Sequence, residues 1–182
     1  MKAHLEIEFK TMLSEAKYFE LLQDQDFPEG VMQINSYFDT QNNFFFSNKS
    51  MLRIRTVQNS FIFTLKTPQD VGVLEHEFIL NTFNINDKQI QQLLDRFDIK
   101  TSDLNIIAQS KTIRSEISDQ YGTWCLDANE FDWGKDYELE YELHENVILS
   151  EAKAHYLKTI ENMNIEFKKA YPKYIRALNL NS

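Results

Sequence analysis

The chain has 182 residues, of which 42% are hydrophobic and 13% aromatic, which is enough for one globular domain with a sizeable core and excludes a disordered chain. Its formal net charge of −9 argues against a nucleic-acid polymer or an anionic membrane as a partner. The single cysteine, Cys125, excludes an internal disulfide, and with no signal peptide and no apolar run of about 20 residues we expect a cytoplasmic protein.

Short strands separated by a few helices are predicted along the whole chain. A strand over residues 3–11 comes first, and a helix capped by Ser14 follows to about Gln25. Further strands are predicted over residues 31–40, 50–57, 61–67, 73–80, 104–118, 123–129 and 137–144. Three more helices are predicted, from Asn86 or Asp87 to Phe97, from a Ser150 cap to about Met163, and from Pro172 onward. This order of elements indicates an α+β fold in a single domain, residues 1–182.

The first predicted strand carries an unusual set of charges on one face. Side chains two apart share a face of a strand, so Glu6, Glu8 and Lys10 line up together. The apolar residues between them are predicted to face a core: Leu5, Ile7 and Phe9. Neighbouring carboxylates on one sheet face repel each other unless a metal ion or solvent offsets their charge. This strand is therefore a candidate metal site.

Other strands repeat the alternation, each with charges of one sign. Arg53 and Arg55 share one strand face, Glu138 and Glu140 share another, and Glu142 is interpreted as an extension of that acidic face. Further charged side chains on strands are Lys66, Glu75, Glu77, Arg114 and Asp127. Any one strand alone is explained as the solvated face of a sheet, but sorting by sign favours a closed barrel with a charged interior. There, carboxylates from both ends of the chain can share Mg²⁺ or Mn²⁺, and Arg and Lys can bind phosphate.

The charged motifs follow one another in a recognisable order along nearly the whole chain. They are Glu6-x-Glu8-x-Lys10, Arg53-x-Arg55, Lys66, Glu75-x-Glu77, Thr112-x-Arg114-x-Glu116, Leu126-Asp127-x-Asn129 and Asp136-Tyr137-Glu138-Leu139-Glu140. This series resembles the CYTH family, also called the triphosphate tunnel metalloenzymes, and within it the YjbK-type bacterial branch. The resemblance implies an eight-stranded antiparallel β-barrel, the triphosphate tunnel, with helices packed outside and a closing C-terminal helix.

The resemblance also implies roles for individual residues. It assigns divalent metal to Glu6, Glu8, Asp127, Glu138 and Glu140. It assigns the triphosphate to Lys10, Arg53, Arg55, Lys66, Arg114, Lys173 and Arg176. Lys66 and Asp127 are the candidate catalytic residues, and Glu75 and Glu77 form either a metal site or an orienting pair. The four histidines, His4, His76, His144 and His155, are given no catalytic role, because none has a Ser or Cys partner at a suitable spacing.

The leading hypothesis is an enzyme that hydrolyses a small triphosphate with the help of Mg²⁺ or Mn²⁺, with inorganic tripolyphosphate as the favoured substrate. One ion would bridge phosphate oxygens, and a second, held partly by Asp127, would activate water. Two alternatives within the resemblance are thiamine triphosphate hydrolysis and ATP cyclisation, as in class IV adenylyl cyclases. A third, from another class, is a protein that binds triphosphorylated nucleotides without turnover. The sequence does not predict an oligomeric state.

Overall fold

The computed structural model describes residues 2–180, so Met1, Asn181 and Ser182, at the ends of the predicted domain, lie outside the described residues. The strands are β1 (Lys2–Glu6), β2 (Glu8–Leu13), β3 (Val31–Thr40), β4 (Met51–Val57), β5 (Ser60–Pro68), β6 (Val73–Leu80), β7 (Leu104–Ser118), β8 (Gly122–Phe131) and β9 (Gly134–Leu143). The helices are α1 (Glu15–Asp24), α2 (Phe44–Ser47), α3 (Lys88–Leu94), α4 (Leu149–Asn162) and α5 (Lys173–Ala177). Two 3₁₀ turns, Asp95–Phe97 and Thr101–Asp103, follow α3.

All strands belong to one antiparallel sheet that curls round on itself. Its order is β1-β6-β5-β4-β3-β7-β8-β9-β2, and the two outermost strands, β1 and β2, are separated in the chain only by Ile7. β1 pairs with β6, whereas β2 pairs with β9 and sets Glu8 opposite Glu142. The predicted antiparallel barrel is therefore confirmed. Within residues 2–180 it has nine strands where eight were predicted, because the first predicted strand is divided at Ile7 between two partners.

The turn before β6 packs closely against the backbone around Ile7, where β1 ends and β2 begins. Gly72 has a φ of +74°, in the left-handed region that glycine tolerates best. A Cβ atom at this position would lie 2.3 Å from the backbone oxygen of Glu6. On the other side, the Leu143 amide donates to the Ile7 carbonyl over 2.9 Å. Backbone contacts from β6 and β9 thus hold the N-terminal segment in place.

Apolar side chains on the outer faces of the strands form two cores beneath the helices. The first core lies under α2 and α3 and includes Phe45, Leu52, Ile54, Phe63, Leu65, Ile90, Leu93 and Leu94. The second core lies under α1 and α4 and includes Tyr18, Leu21, Trp124, Leu126, Leu139, Tyr141, Tyr156 and Ile160. Because neighbouring residues of a strand face opposite ways, the charged side chains that alternate with these apolar ones face the interior of the sheet.

Helix starts agree with the predictions at two places and differ at a third. The Ser14 hydroxyl accepts from the Lys17 amide over 3.2 Å, and Asp87 accepts from the Gln89 amide over 2.8 Å, as expected of N-caps. The prediction that Ser150 caps α4 is wrong, because Ile148, two residues earlier, occupies the cap position and the helix begins at Leu149. Ala152, Tyr156 and Ile160 are the buried residues of α4, and Tyr156 and Ile160 belong to the second core.

Leu5 and the short helix α2 also differ from the predictions. Leu5 was expected in the core, but its side chain is 48% exposed, on the outermost strand β1, which pairs with β6 on one side. α2 was not predicted, and its Phe45 is buried in the first core. None of the helices in the described part of the chain combines the length and apolar character needed to cross a membrane.

Candidate active site

The inner face of the curled sheet surrounds a cavity of about 590 Å³. Most of the charged residues predicted from the sequence line it: Glu6, Glu8, Lys10, Arg53, Arg55, Lys66, Glu75, Glu77, Arg114, Glu140 and Lys173. Three predicted residues, Asp127, Glu138 and Arg176, are buried and do not line the cavity. The structure therefore brings the predicted residues together at two depths, one at the cavity and one behind its wall.

Glu6, Glu8 and Glu142 form a half-buried carboxylate group at the cavity. One oxygen of each lies within 4.8 Å of the others, because β2 pairs with β9 and so joins the two ends of the chain. Each carboxylate contacts one cation that it shares with another carboxylate. These cations are Lys66 for Glu6, Lys10 for Glu8 and Arg114 for Glu142. Burial raises the pKa of Glu8 to about 7; Lys10 opposes this rise, and Glu140 adds to it.

Asp127, Glu138 and Glu140 form a second, buried carboxylate group. Arg114 donates to both oxygens of Asp127, from Nε over 2.8 Å and from Nη2 over 2.7 Å. Lys173 Nζ lies 2.6 Å from Asp127 Oδ2 and 3.0 Å from Glu138 Oε1. Each carboxylate of this group therefore contacts two cations, with Arg176 also on Glu138 and Lys10 also on Glu140.

The carboxylate pKa values that are shifted move in opposite directions in the two groups, because the carboxylates of the buried group contact more cations. Burial alone would raise the pKa of Asp127, but Arg114 and Lys173 outweigh it and hold the value below the usual range. Lys173, Lys10 and Arg114 likewise lower the pKa of Glu140 against the effect of burial. A divalent cation of the Mg²⁺ type prefers carboxylate oxygens as ligands. Each carboxylate of the half-buried group contacts one cation, so this group keeps more charge for such an ion than the buried group, where each carboxylate contacts two. Within the buried group, Oε2 of Glu138 has no hydrogen-bond partner in the described chain.

Two arginines on β4 carry positive charge that the described carboxylates do not balance. Arg55 has no carboxylate within 4.0 Å among residues 2–180, and its Nε donates to Asn35 Oδ1 over 3.1 Å. Arg53 lies 3.9 Å from Glu75, and its buried Nε has no hydrogen-bond partner in the described chain. Burial, with Arg53 and Arg114 nearby, lowers the pKa of Arg55 to about 10. This side of the cavity is suited to an anion.

Glu75 and Glu77 contact neighbouring side chains. Glu75 lies 3.4 Å from Lys66 Nζ and 3.9 Å from Arg53 Nη2. Glu77 accepts from the Thr64 hydroxyl over 3.4 Å. Neither belongs to a three-carboxylate group in the described chain. Of the two roles left open by the sequence, the geometry favours the orienting pair.

The C-terminal helix α5 brings one cation to the cavity and buries another. Lys173 lines the cavity, whereas Arg176, three residues later on the same helix face, lies behind the wall. Arg176 Nη1 lies 2.6 Å from Asp136, Nη2 lies 2.5 Å from Glu138, and its carbonyl accepts from Trp133 Nε1 over 2.7 Å. Arg176 therefore anchors the helix, and the structure does not bring it to the site assigned to phosphate.

Sequence reasoning missed Glu142 and His4. Glu142 was interpreted as an extension of the acidic strand face, but it completes the half-buried carboxylate group. His4 was given no role, yet it lines the cavity with Nε2 3.9 Å from Glu75. Both residues could have been found from spacing, because each lies two positions from a predicted site residue on the same strand face.

A curled antiparallel sheet with carboxylates and arginines facing each other across its interior defines a class of charged β-tunnel proteins. The CYTH domain family matches residues 4–175, and the chain belongs to this family. The family recognised from the motifs is thereby confirmed.

Individual relatives agree with this assignment. The chain is 31% identical over 153 residues to "Putative triphosphatase YjbK" of Bacillus subtilis (strain 168), covering 78% of this chain and 79% of that protein. A crystal structure of a "putative adenylate cyclase" from Bacillus halodurans has a TM-score of 0.85 at 28% identity and covers 97% of this chain and 98% of its own. "Putative adenylyl cyclase HpAC1" from Hippeastrum has a TM-score of 0.77 at 18% identity, covers 100% of this chain and 97% of its own, and shares the fold.

Proposed function

We propose that this CYTH protein is a metal-dependent triphosphate hydrolase and that inorganic tripolyphosphate is its favoured substrate. The observation that carries the proposal is the opposition of charges across the cavity. Arg55 has no carboxylate within 4.0 Å in the described chain, and Arg53 has Glu75 at 3.9 Å. Facing them, one oxygen each of Glu6, Glu8 and Glu142 lies within 4.8 Å of the others. The name of the Bacillus subtilis relative, a triphosphatase, supports the same reaction class.

The cations would bind the phosphate chain. The guanidinium groups of Arg53 and Arg55 can each donate two parallel hydrogen bonds to a phosphate, which a lysine cannot do. Lys10 and Lys66 contact carboxylates of the half-buried group and line the same cavity as the two arginines. Their ammonium groups would stabilise the charge that develops on phosphoryl oxygens as the anhydride bond breaks.

The half-buried carboxylate group would hold the divalent ion. Mg²⁺ or Mn²⁺ at Glu6, Glu8 and Glu142 would supply Lewis-acid polarisation of the phosphate oxygens. The buried group has a different task in this proposal, because each of its carboxylates contacts two protein cations, among them Arg114, Lys173 and Arg176. Asp127 would position Arg114 and Lys173 at the cavity wall, and one ion replaces the two of the initial hypothesis.

The reaction class can be tested by measuring phosphate release from tripolyphosphate, thiamine triphosphate, ATP and GTP, each with Mg²⁺ and with Mn²⁺. We expect turnover of tripolyphosphate that disappears when EDTA removes the metal. Preferred turnover of thiamine triphosphate, or cyclic AMP from ATP, would select one of the alternative enzymes. Tight binding of one compound without turnover of any would overturn the hydrolase proposal and favour a binding protein.

The metal site can be tested with single carboxamide substitutions. Glu8→Gln and Glu142→Gln each remove one charged ligand, so we expect both to abolish metal-dependent activity while the circular dichroism spectrum is unchanged. Glu145→Gln is the matched control, because Glu145 lines the same cavity but lies outside the half-buried carboxylate group. Full activity of Glu8→Gln would show that the metal assignment is wrong.

A further inference from the structure

Arg55 differs from Arg114 in what holds its guanidinium group. Arg114 Nε donates to a carboxylate, Asp127, and its Nη atoms contact Glu140 and Glu142, so its charge is neutralised. Arg55 Nε donates instead to a neutral amide oxygen, Oδ1 of Asn35, over 3.1 Å. Both arginines are thus fixed at Nε, but only Arg55 retains an uncompensated charge within the described chain.

A buried polar network fixes the amide of Asn35. Its Nδ2 lies 3.4 Å from Ser110 Oγ, which in turn lies 3.3 Å from the Tyr37 hydroxyl. Asn35, Ser110 and Tyr37 are each at most 2% exposed. With Nδ2 directed at Ser110, Oδ1 is left to accept from Arg55. Asn35 does not itself line the cavity, whereas Arg55 and Tyr37 do, so Asn35 can act on a ligand only through its neighbours.

The choice of an amide has an electrostatic consequence. A carboxylate in place of Asn35 would have nearly the same shape and would accept the same hydrogen bond, but it would also cancel the charge of Arg55. A hydrogen bond to Nε leaves both Nη atoms of a guanidinium free for bidentate contact with phosphate. An amide at position 35 therefore directs Arg55 without neutralising it.

We propose that Asn35 is a positioning residue that directs Arg55 toward the triphosphate and keeps its positive charge available for binding. This inference rests on the proposed function, because it assigns Arg55 to a phosphate group of the substrate. It adds a determinant of affinity on β3, a strand on which the sequence motifs place no site residue.

The test compares Asn35→Asp with the wild-type protein in steady-state kinetics with tripolyphosphate and Mg²⁺. Hydrogen bonds to charged groups contribute about 1.5–3 kcal/mol, so loss of the Arg55 contact should raise KM by roughly 10- to 100-fold. Because Arg55 binds phosphate before and during the reaction, kcat should change far less than KM. Asn35→Ala removes the orientation but adds no charge, so we expect a smaller rise in KM from it.

Two controls separate this role from a structural one. Asn105→Asp adds the same charge at an exposed position of the neighbouring strand β7, and we expect an unchanged KM. In an Arg55→Met background, Asn35→Ala should have no further effect on KM, because its effect passes through Arg55. Thermal unfolding of each variant checks that it is folded.

Four outcomes would overturn the inference. Folded Asn35→Asp with a KM within about twofold of the wild-type value would do so, as would an equal effect of Asn35→Ala with and without Arg55. If Asn35→Asp does not fold, an unchanged KM for Asn35→Ala has the same meaning. Wild-type protein that neither binds nor hydrolyses tripolyphosphate would overturn the proposed function and this inference together, and that result differs visibly from the other outcomes.

Discussion

The spacing of Arg176 from Lys173 predicts part of the position of its side chain but not all of it. Its three-residue spacing from Lys173 predicts a shared helix face, and both side chains do contact Glu138. The spacing does not predict whether a side chain lines the cavity or lies behind its wall, because that depends on where α5 packs against the sheet. Arg176 lies behind the cavity wall, where it contacts Trp133 and Asp136 of the β8–β9 hairpin. No local signal in the sequence encodes these contacts between β8–β9 and the chain terminus.

Arg176→Met tests this anchoring role. Removing the guanidinium leaves Asp136 and Glu138 with fewer cations in a buried setting, and breaking a buried ion pair typically costs about 3–5 kcal/mol. We expect a loss of that order in the free energy of unfolding by urea. Lys169→Met, at an exposed residue just before α5, should change it by less than about 0.5 kcal/mol. A stable Arg176→Met protein with a strongly raised KM would instead return Arg176 to the phosphate site.

At the scale of elements, the turn between β7 and β8 is organised by one carboxylate. Asp119 Oδ1 accepts from the amides of Tyr121 and Gly122 and from the Tyr141 hydroxyl, over 2.5–3.1 Å. Its Oδ2 accepts from Trp124 Nε1 over 2.9 Å and lies 2.7 Å from His155 Nε2 on α4. Asp119 thereby ties the hairpin to the second core and to the helix that covers it.

Asp119→Asn should reveal a pH-dependent contribution to stability. Burial would raise the pKa of Asp119, but the hydrogen bonds, led by Tyr141, outweigh it and hold the pKa well below its usual range. A lowered folded-state pKa stabilises the protein above the unfolded value of about 3.9, and this contribution is lost as the pH falls through the folded value. Urea unfolding should therefore show a large deficit for the variant at pH 7 that shrinks below about pH 4.

The matched control for this prediction is Asp70→Asn, at an exposed residue of the β5–β6 turn. We expect its stability to follow that of the wild-type protein at every pH. A deficit of Asp119→Asn that stayed constant from pH 7 to pH 3 would contradict the role given to the ionised carboxylate.

Elements whose signals are local could be predicted from the sequence, and elements set by distant partners could not. The caps at Ser14 and Asp87 depend on an amide two or three residues away, and the alternation around Arg53 depends on the strand alone. The cap of α4 is instead Ile148, two residues before Ser150, although Ile148 makes no side-chain cap hydrogen bond, so the Ser150 signal was overridden. Tertiary packing routinely overrides local preference in this way.

At the scale of the whole molecule, the chain around Ile7 connects the two edges of the curled sheet, because β1 pairs with β6 and β2 pairs with β9. The sequence shows the charged face of the first strand but not that its two halves have different partners. The pairing of β2 with β9 joins residues about 130 apart, and no pattern within either strand specifies that register. For this reason the two acidic strands were both predicted, whereas the grouping of Glu142 with Glu6 and Glu8 was not.

Gly72→Ala tests how strongly the closure depends on close backbone contact. The new Cβ would lie 2.3 Å from the Glu6 carbonyl oxygen, so β1 and β6 must separate. Gly134→Ala is the matched control, because Gly134 also has a positive φ, +149°, but a Cβ there would meet no atom within 4 Å.

We expect Gly72→Ala to lower both the unfolding midpoint and the Mg²⁺ affinity, because Glu6 belongs to the half-buried carboxylate group. Gly134→Ala should show only the cost of its backbone strain, of order 1–3 kcal/mol, with unchanged metal affinity. Equal metal affinity in the two variants, measured by calorimetry, would argue against a coupling between closure and the metal site.

The pairing of β2 with β9 also sets the order in which the molecule can mature during synthesis. The first core is built largely from residues 38–104, which can come together while the ribosome is still adding later residues. Glu8 cannot meet Glu142 until almost the entire polypeptide has left the ribosome, and contacts between such distant residues form slowly. A nascent or truncated chain would thus lack the half-buried carboxylate group, and the proposed metal site would form only late in folding.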